Sequence, residues 1–211
     1  MLGIIFTGGE SPDAQAVKRI VESADKDILI IAADSGFDTA MNADIKTDWV
    51  IGDMDSAKNY AGLAAMPPER VIRHERDKDF TDTELAVLLA AEKGCNEIWI
   101  IGGGGGRIDH LFGIRSLFDR DFFPRRWITA LEDIYCIDGK SEKWTVSGGA
   151  IVSVFPAGDG PWEAASSGLK WQLDGVSWSR GFFGLSNIAV SGEFSITAKK
   201  GRFMVILESG G

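Results

Sequence analysis

The spacing of apolar residues changes once along the chain. Up to about residue 138, short continuous apolar runs alternate with stretches in which apolar residues recur every three or four positions; beyond it the spacing falls to two. Leu2 to Thr7 is a run of the kind seen in a strand buried on both faces. Ser11-Pro12-Asp13 then predicts a helix start, with Ser11 as N-cap and Pro12 at the first helical position, and Val17, Ile20, Val21 and Ala24 keep helical spacing. Asp27 to Ala33 predicts a strand ending at Ala33-Asp34-Ser35-Gly36, and after a short helix Trp49-Val50-Ile51 predicts another. Arg70 to Arg73 reads as a further short strand. Phe80 to Lys93 is the clearest helix, with Leu85, Leu88 and Leu89 on one stripe, while Glu97 to Ile101 and Trp127 to Leu131 are apolar and β-rich. This alternation predicts an α/β fold, a mostly parallel sheet with helices on its faces.

After Asp138 no convincing helix appears. Lys143 to Ser147 and Ala150 to Phe155 flank Gly148-Gly149, and Phe194 to Lys199 and Arg202 to Leu207 flank Lys200-Gly201, so two hairpins are expected. Gly168 to Leu173 alternates as a half-buried strand does. The pattern predicts an antiparallel β-sandwich. With the boundary near Gly139, the expected domains are 1–138, the α/β domain, and 139–211, the sandwich.

Hydrophobic content of 45% and charged content of 25% are those of a globular protein. A net charge of −9 argues against a nucleic-acid or anionic-membrane surface. Cys95 and Cys136 stand in no metal-ligand spacing and read as core thiols. The first residues lack a basic segment and a cleavage site, and no apolar run reaches membrane-spanning length, so the expected location is cytoplasmic.

Carboxylates collect where strands end. In Gly52-Asp53-Met54-Asp55-Ser56, extended backbone puts Asp53 and Asp55 on one side. Two like charges that close repel by about 4 kcal/mol at an effective dielectric near 20. Either one carboxyl keeps its proton or a cation sits between them; alternatively the segment is a turn closed by its own aspartates. Asp34 lies at the end of the preceding strand. Asp77, Asp79 and Asp82 precede the long helix, where Thr81 and Glu84 fit a capping box that leaves Asp77 and Asp79 unexplained.

The run Gly102 to Gly106, followed by Arg107, Ile108, Asp109 and His110, joins a strand to a helix start. Bare backbone N–H groups there suit phosphate oxygens, and Arg107 adds a forked cation. The alternative is a floppy loop. The run matches neither a Walker A loop nor the dinucleotide fingerprint. His110 reads either as a general base or as a structural histidine.

Ala33-Asp34-Ser35-Gly36, Gly52-Asp53-Met54-Asp55-Ser56, Asp77 to Glu84, and Gly105-Gly106-Arg107-Ile108-Asp109-His110, in that order, resemble the thiamine pyrophosphokinase family. Gly168-Leu169-Lys170-Trp171 and Gly184-Leu185-Ser186-Asn187 extend the likeness. The family usually has Glu where Ile188 stands, and often Gly where Ser35 stands. The resemblance implies a Rossmann-like α/β domain followed by a β-sandwich, and a homodimer with sites at the subunit interface. It implies transfer of the pyrophosphoryl group of ATP to the hydroxyethyl oxygen of thiamine, with Mg²⁺ as cofactor. Asp34, Asp53, Asp55 and Asp82 would be the metal-side acids, and Arg107 and Asp109 would lie at the phosphates and acceptor. Asp79, Thr81, Gly105, Gly106 and His110 would line the substrate, and Ser186 and Asn187 would contact thiamine. Trp171, Trp178 and Phe203 are either sandwich core or an aromatic wall for the thiazolium cation. Two other readings are a pyrophosphokinase for another heterocyclic alcohol such as a hydroxymethylpterin, and a non-catalytic nucleotide-binding regulator. A third is a metal-dependent phosphohydrolase.

Overall fold

The computed structural model describes residues 1–25, 27–54, 60–75, 77 and 79–209. Two compact units emerge, Met1–Leu117 with Phe122–Ala130, and Phe118–Asp121 with Leu131–Gly211.

The first unit runs β1 (Leu2–Phe6), α1 (Ala14–Glu22), β2 (Ile28–Ala33), α2 (Gly36–Asn42), β3 (Trp49–Gly52), α3 (Tyr60–Ala64), β4 (Val71–Arg73), α4 (Asp82–Glu92), β5 (Glu97–Ile101), α5 (Ile108–Leu117) and β6 (Arg126–Ile128). Its strands lie in the order β6-β5-β1-β2-β3-β4, and every pair is parallel. The predicted parallel α/β sheet is present. All five residues of β1 are buried, which explains its unbroken apolar run. Leu2, Ile4 and Phe6 join Val17 and Val21 of α1, Phe37 and Ala40 of α2, and Val50 of β3 in one core. Each such side chain contributes about 1.5–3 kcal/mol when fully buried.

Two local expectations shift. Helix α1 is capped by Asp13, whose Oδ1 accepts from Ala16 N at 2.8 Å, while the Ser11 hydroxyl donates to Pro12 O. The helix therefore begins two residues later than the serine–proline pair predicts. On α4 the buried face is Thr83, Ala86, Val87, Leu89 and Ala90, and Leu88 is 47% exposed. Small residues let this helix lie close on the sheet, and of the leucine stripe Leu89 joins the packed face while Leu88 does not. Thr81 and Glu84 do form the capping box: Glu84 N donates to Thr81 Oγ1, and Thr81 N donates to Glu84 Oε2.

The second unit holds β7 (Glu132–Asp138), β8 (Ser141–Thr145), β9 (Ile151–Ala157), β10 (Glu163–Ser167), β11 (Gly184–Ile188), β12 (Glu193–Lys200) and β13 (Arg202–Glu208). They form two antiparallel layers, β11-β9-β13-β7 and β10-β12-β8. Successive strands alternate strictly between the layers, so no strand pairs with its neighbour in sequence. Both expected hairpins are corrected on this ground. A turn does close at Gly148-Gly149, where Ala150 N donates to Ser147 O at 3.0 Å, but β8 then pairs with β12 and β9 with β13. Lys200-Gly201 likewise carries the chain from one layer to the other. Gly168 to Leu173 is not a strand: only Leu169 makes a bridge, to Ala189. Its alternation reflects two buried leucines, Leu169 and Leu173, anchoring a loop. Within one layer Trp144 stacks on its cross-strand partner Phe194 at 5.1 Å, and in the same core Trp178 meets Phe203 edge-on at 5.0 Å. Trp178 and Phe203 are thus core residues.

Candidate functional site

In the parallel sheet the chain moves outward from β1 through β2 and β3 to β4, then returns to the other side of β1 with β5. The strand order reverses between β1 and β5, and open α/β sheets bind ligands outside the carboxyl ends at such a point. A cavity of about 700 Å³ lies there, lined by the segments that follow β1, β2, β3, β4 and β5. That volume suits a substrate-sized ligand. Asp34, Asp53, Asp79, Thr81, Asp82, Gly105, Gly106, Arg107, Asp109 and His110 all face it. Asp55 lies outside the described residues.

The acids meet at Gly52, the last residue of β3. A Cβ on Gly52 would stand 3.1 Å from Asp82 Oδ1 and 3.3 Å from Asp34 Cβ. Gly52 has φ +146°, a conformation open to glycine alone. Side chains from the ends of β2 and the start of α4 therefore close around a bare backbone, with Asp53 next along the chain. Asp34 itself has φ +48°, and its N–H donates to Ile51 O at 2.9 Å, which ties the end of β2 to β3.

The five glycines do not form a loop with all its donors open. Gly102 N donates to Ile128 O at 2.9 Å, Gly103 N to Gly8 O at 2.9 Å, and Gly104 N to Glu10 O at 3.0 Å, while Glu10 N returns a bond to Gly104 O at 2.7 Å. Three of the five N–H groups thus fasten the run to the segment after β1. Trp127 Nε1 donates to Gly102 O at 2.8 Å from beneath. Gly105 and Gly106 are the glycines of the run whose N–H groups take no acceptor among the described residues. Side chains are excluded on the packed side: a Cβ on Gly103 would sit 2.3 Å from Ile114 Cδ1.

Arg107 and Asp109 form a two-pronged ion pair, Nε to Oδ1 at 3.1 Å and Nη2 to Oδ2 at 2.5 Å, and Asp109 Oδ1 also accepts from His110 N. The hydrogen bonds from Arg107 hold the Asp109 carboxyl below the ordinary aspartate range, and the same pairing pushes the guanidinium up. Both side chains are more than half exposed, so the pair stays open to a ligand.

Ser186 and Asn187 lie on β11 in the second unit. Asn187 is buried, and its amide is spent on the backbone of Trp171: Oδ1 accepts from Trp171 N at 3.1 Å and Nδ2 donates to Trp171 O at 2.6 Å. The ring this fixes is 53% exposed, with Lys170 Nζ 4.5 Å above it. Ser186 has φ +55° and is exposed.

Residues 20–122 match the family model described as thiamin pyrophosphokinase, catalytic domain. Over that stretch the chain is similar to the thiamin pyrophosphokinase catalytic domain. Among solved structures it resembles a thiamine pyrophosphokinase from Bacillus subtilis, at 24% identity and a TM-score of 0.77, over 100% of this chain and 99% of the other. A thiamin pyrophosphokinase from Geobacillus thermodenitrificans gives 24% and 0.74 over the same shares. One from Candida albicans gives 14% and 0.70, over 99% of this chain and 89% of the other. These likenesses bear on the fold. No curated protein matches the chain in sequence. No helix among the described residues is long and apolar enough to cross a membrane.

Among the described residues no three carboxylate, histidine or cysteine side chains converge to cage an ion unaided. The magnesium that the resemblance to thiamin pyrophosphokinases implies does not need such a cage. It binds through one or two carboxylates, keeps waters and shares substrate phosphates. Asp34 and Asp82 beside Gly52 supply hard oxygen donors of that kind, with Asp53 in the same cavity, so the donor set fits.

Thr7, Gly8, Gly9, Ser35 and Thr83 also line the cavity, and the sequence assigned them no site role. The available signal was position: Thr7 ends an apolar strand just as Asp34 does, and Thr83 was hidden inside a capping box.

Proposed function

We propose that the chain is an ATP-dependent diphosphotransferase that moves the β,γ-pyrophosphoryl unit of ATP to the hydroxyethyl oxygen of thiamine, releasing AMP. The observation that carries this reading is the gathering of Asp34 and Asp82 around Gly52, in one cavity with Asp53, the glycine run and Arg107. Five aspartates line that cavity against Arg107 and His110, which favours a cation-accompanied polyphosphate and a cationic acceptor.

In the reaction the thiamine oxygen forms a bond to the β-phosphorus, and the bond from that phosphorus to the α,β-bridging oxygen breaks, its electron pair leaving with AMP. Phosphoryl chemistry of this kind depends on positioning and charge neutralisation rather than on a protein nucleophile. Gly105 and Gly106 offer N–H donors and Arg107 a charged fork to the phosphate chain. Asp34, Asp53 and Asp82, joined by Asp55, would hold magnesium, which neutralises phosphate oxygens when bound. The hydroxyl proton goes to a carboxylate. Asp82 and Asp109 are the two candidates in the cavity, and the hydrogen bonds from Arg107 lower the proton affinity of Asp109.

The thiamine side falls to Ser186 and the exposed ring of Trp171, held by Asn187. Trp171, Phe182, Phe183, Leu185 and Val190 are all at least 45% exposed, and uncovered large apolar side chains of this kind support a homodimer with shared sites. The proposed location is the cytoplasm, where ATP is available.

Formation of AMP and thiamine diphosphate from ATP and thiamine, with and without Mg²⁺, tests the reading. Turnover with a hydroxymethylpterin in place of thiamine, or phosphate release with no acceptor, would replace it. Asp53→Asn is expected to cut AMP formation at least 100-fold while circular dichroism stays that of the wild type. Near wild-type turnover would remove Asp53 from the metal-side acids.

A further inference from the structure

In the lining of the same cavity, Thr7 Oγ1 and Thr83 Oγ1 lie 2.6 Å apart. Thr7 ends the central strand β1 and Thr83 sits in the first turn of α4, beside Asp82. Their residues are only 6% and 9% exposed, yet both line the cavity. A hydroxyl carries one proton and two acceptor lone pairs. Two hydroxyls sharing one hydrogen bond use one of their two protons. The other has no acceptor among the described residues, because neither side chain makes another hydrogen bond there. A buried donor left without a partner is costly, and such groups are regularly satisfied by a ligand or by ordered water.

We infer that the Thr7–Thr83 pair is a ligand-binding element that donates its spare O–H to an anionic oxygen of the phosphate chain of the bound nucleotide. The inference rests on the diphosphotransferase reading above and adds a neutral donor to it. Neighbouring carboxylates repel a polyphosphate unless a cation intervenes, and a hydroxyl donor avoids that repulsion. The hydrogen bond also joins the end of β1 to the first turn of α4, where Asp82 lies. The Thr7 methyl lies against the glycine run, where a Cβ on Gly103 would stand 3.3 Å from Thr7 Cγ2.

Affinity for α,β-methylene ATP, whose scissile linkage is blocked, tests this by calorimetry in the presence of Mg²⁺, with inorganic triphosphate as a second probe. Thr7→Val and Thr83→Val remove a hydroxyl and keep the side-chain shape. A hydrogen bond to a charged group corresponds to roughly a 10- to 100-fold change in affinity. At least one of the two valine variants is expected to lose that much for both probes. The corresponding serine variant should restore binding to within about threefold of wild type. The double valine variant should lose no more than the weaker-binding single one, because only one donor leaves the pair. Thermal unfolding run alongside separates binding from folding: serine and valine variants with equal melting temperatures but different affinities support a donor. Two valine variants that bind both probes within twofold of wild type would overturn the inference. Wild-type protein that binds neither probe would overturn the diphosphotransferase reading instead.

Discussion

Gly52→Ala perturbs the one point that three elements share. The new methyl carbon would arrive 3.1 Å from Asp82 Oδ1, 3.2 Å from Asp82 Cγ and 3.3 Å from Asp34 Cβ, at a backbone φ of +146°. These contacts are tighter than ordinary van der Waals contact, so both aspartates must retreat by a few tenths of an ångström. Holding a non-glycine residue in that region costs about 1–3 kcal/mol. For a chain of this size that lowers the melting temperature by roughly 2–12 °C. A misplacement of about 1 Å at catalytic groups costs on the order of 100-fold in rate, so a smaller shift of two acids together predicts a loss of roughly tenfold or more. AMP formation at saturating substrates and a thermal melt report the two effects separately. Gly94→Ala is the control: its φ is +83°, it lies at the far end of α4, and nothing stands within 4 Å of its added methyl. It should share the destabilisation and keep wild-type turnover at 25 °C. Gly52→Ala with turnover and melting temperature both unchanged would show that the acids do not converge on Gly52.

Because Arg107 depresses the folded-state value of Asp109, the pair's contribution is complete above the ordinary aspartate value and disappears as pH falls through the depressed one. A carbon-13 titration of Asp109 should therefore show a midpoint below about 3.9, and a midpoint at or above it would mean that the pair is open in solution. Arg107→Ala should return that midpoint toward the ordinary value and raise KM for ATP more than KM for thiamine. Asn187→Ala leaves the Trp171 N–H and C=O without their side-chain partners and should destabilise the second unit by about 1–3 kcal/mol, read as a lower melting temperature. An unchanged melt would mean that water replaces the amide at no cost.

The parallel sheet was legible because its strands carry their burial in composition: β1, buried at every residue, cannot be written with alternating polarity. The rim acids were legible for a related reason, since a charged residue directly after such a strand must sit at the sheet's edge. Period two in the second unit likewise identified β-structure but said nothing of partners. Gly148-Gly149 and Lys200-Gly201 have the composition of hairpin turns. What sends each flanking strand to a different layer is the pairing of Trp144 with Phe194 and of Met204 with both Phe155 and Cys136. Those contacts join distant residues, and no local signal encodes them. The glycine run was recognised as special, but its fastening to Gly8 and Glu10 depends on β1 and β5 being neighbours. Thr7 and Thr83 escaped notice because a hydroxyl in an apolar run looks like an ordinary strand residue until its partner is seen.

The strict alternation of β7 to β13 between two layers bears on how the second unit is made. Strand β13 comes last in sequence order and lies between β7 and β9, so neither outer strand gains its central partner until β13 has been synthesised. Long-range pairing of this kind folds slowly. During synthesis the apolar faces of β7 and β9 must wait, uncovered, for the whole unit to leave the ribosome. Shortening the chain by that one strand should cost the solubility of the entire unit rather than the loss of an edge.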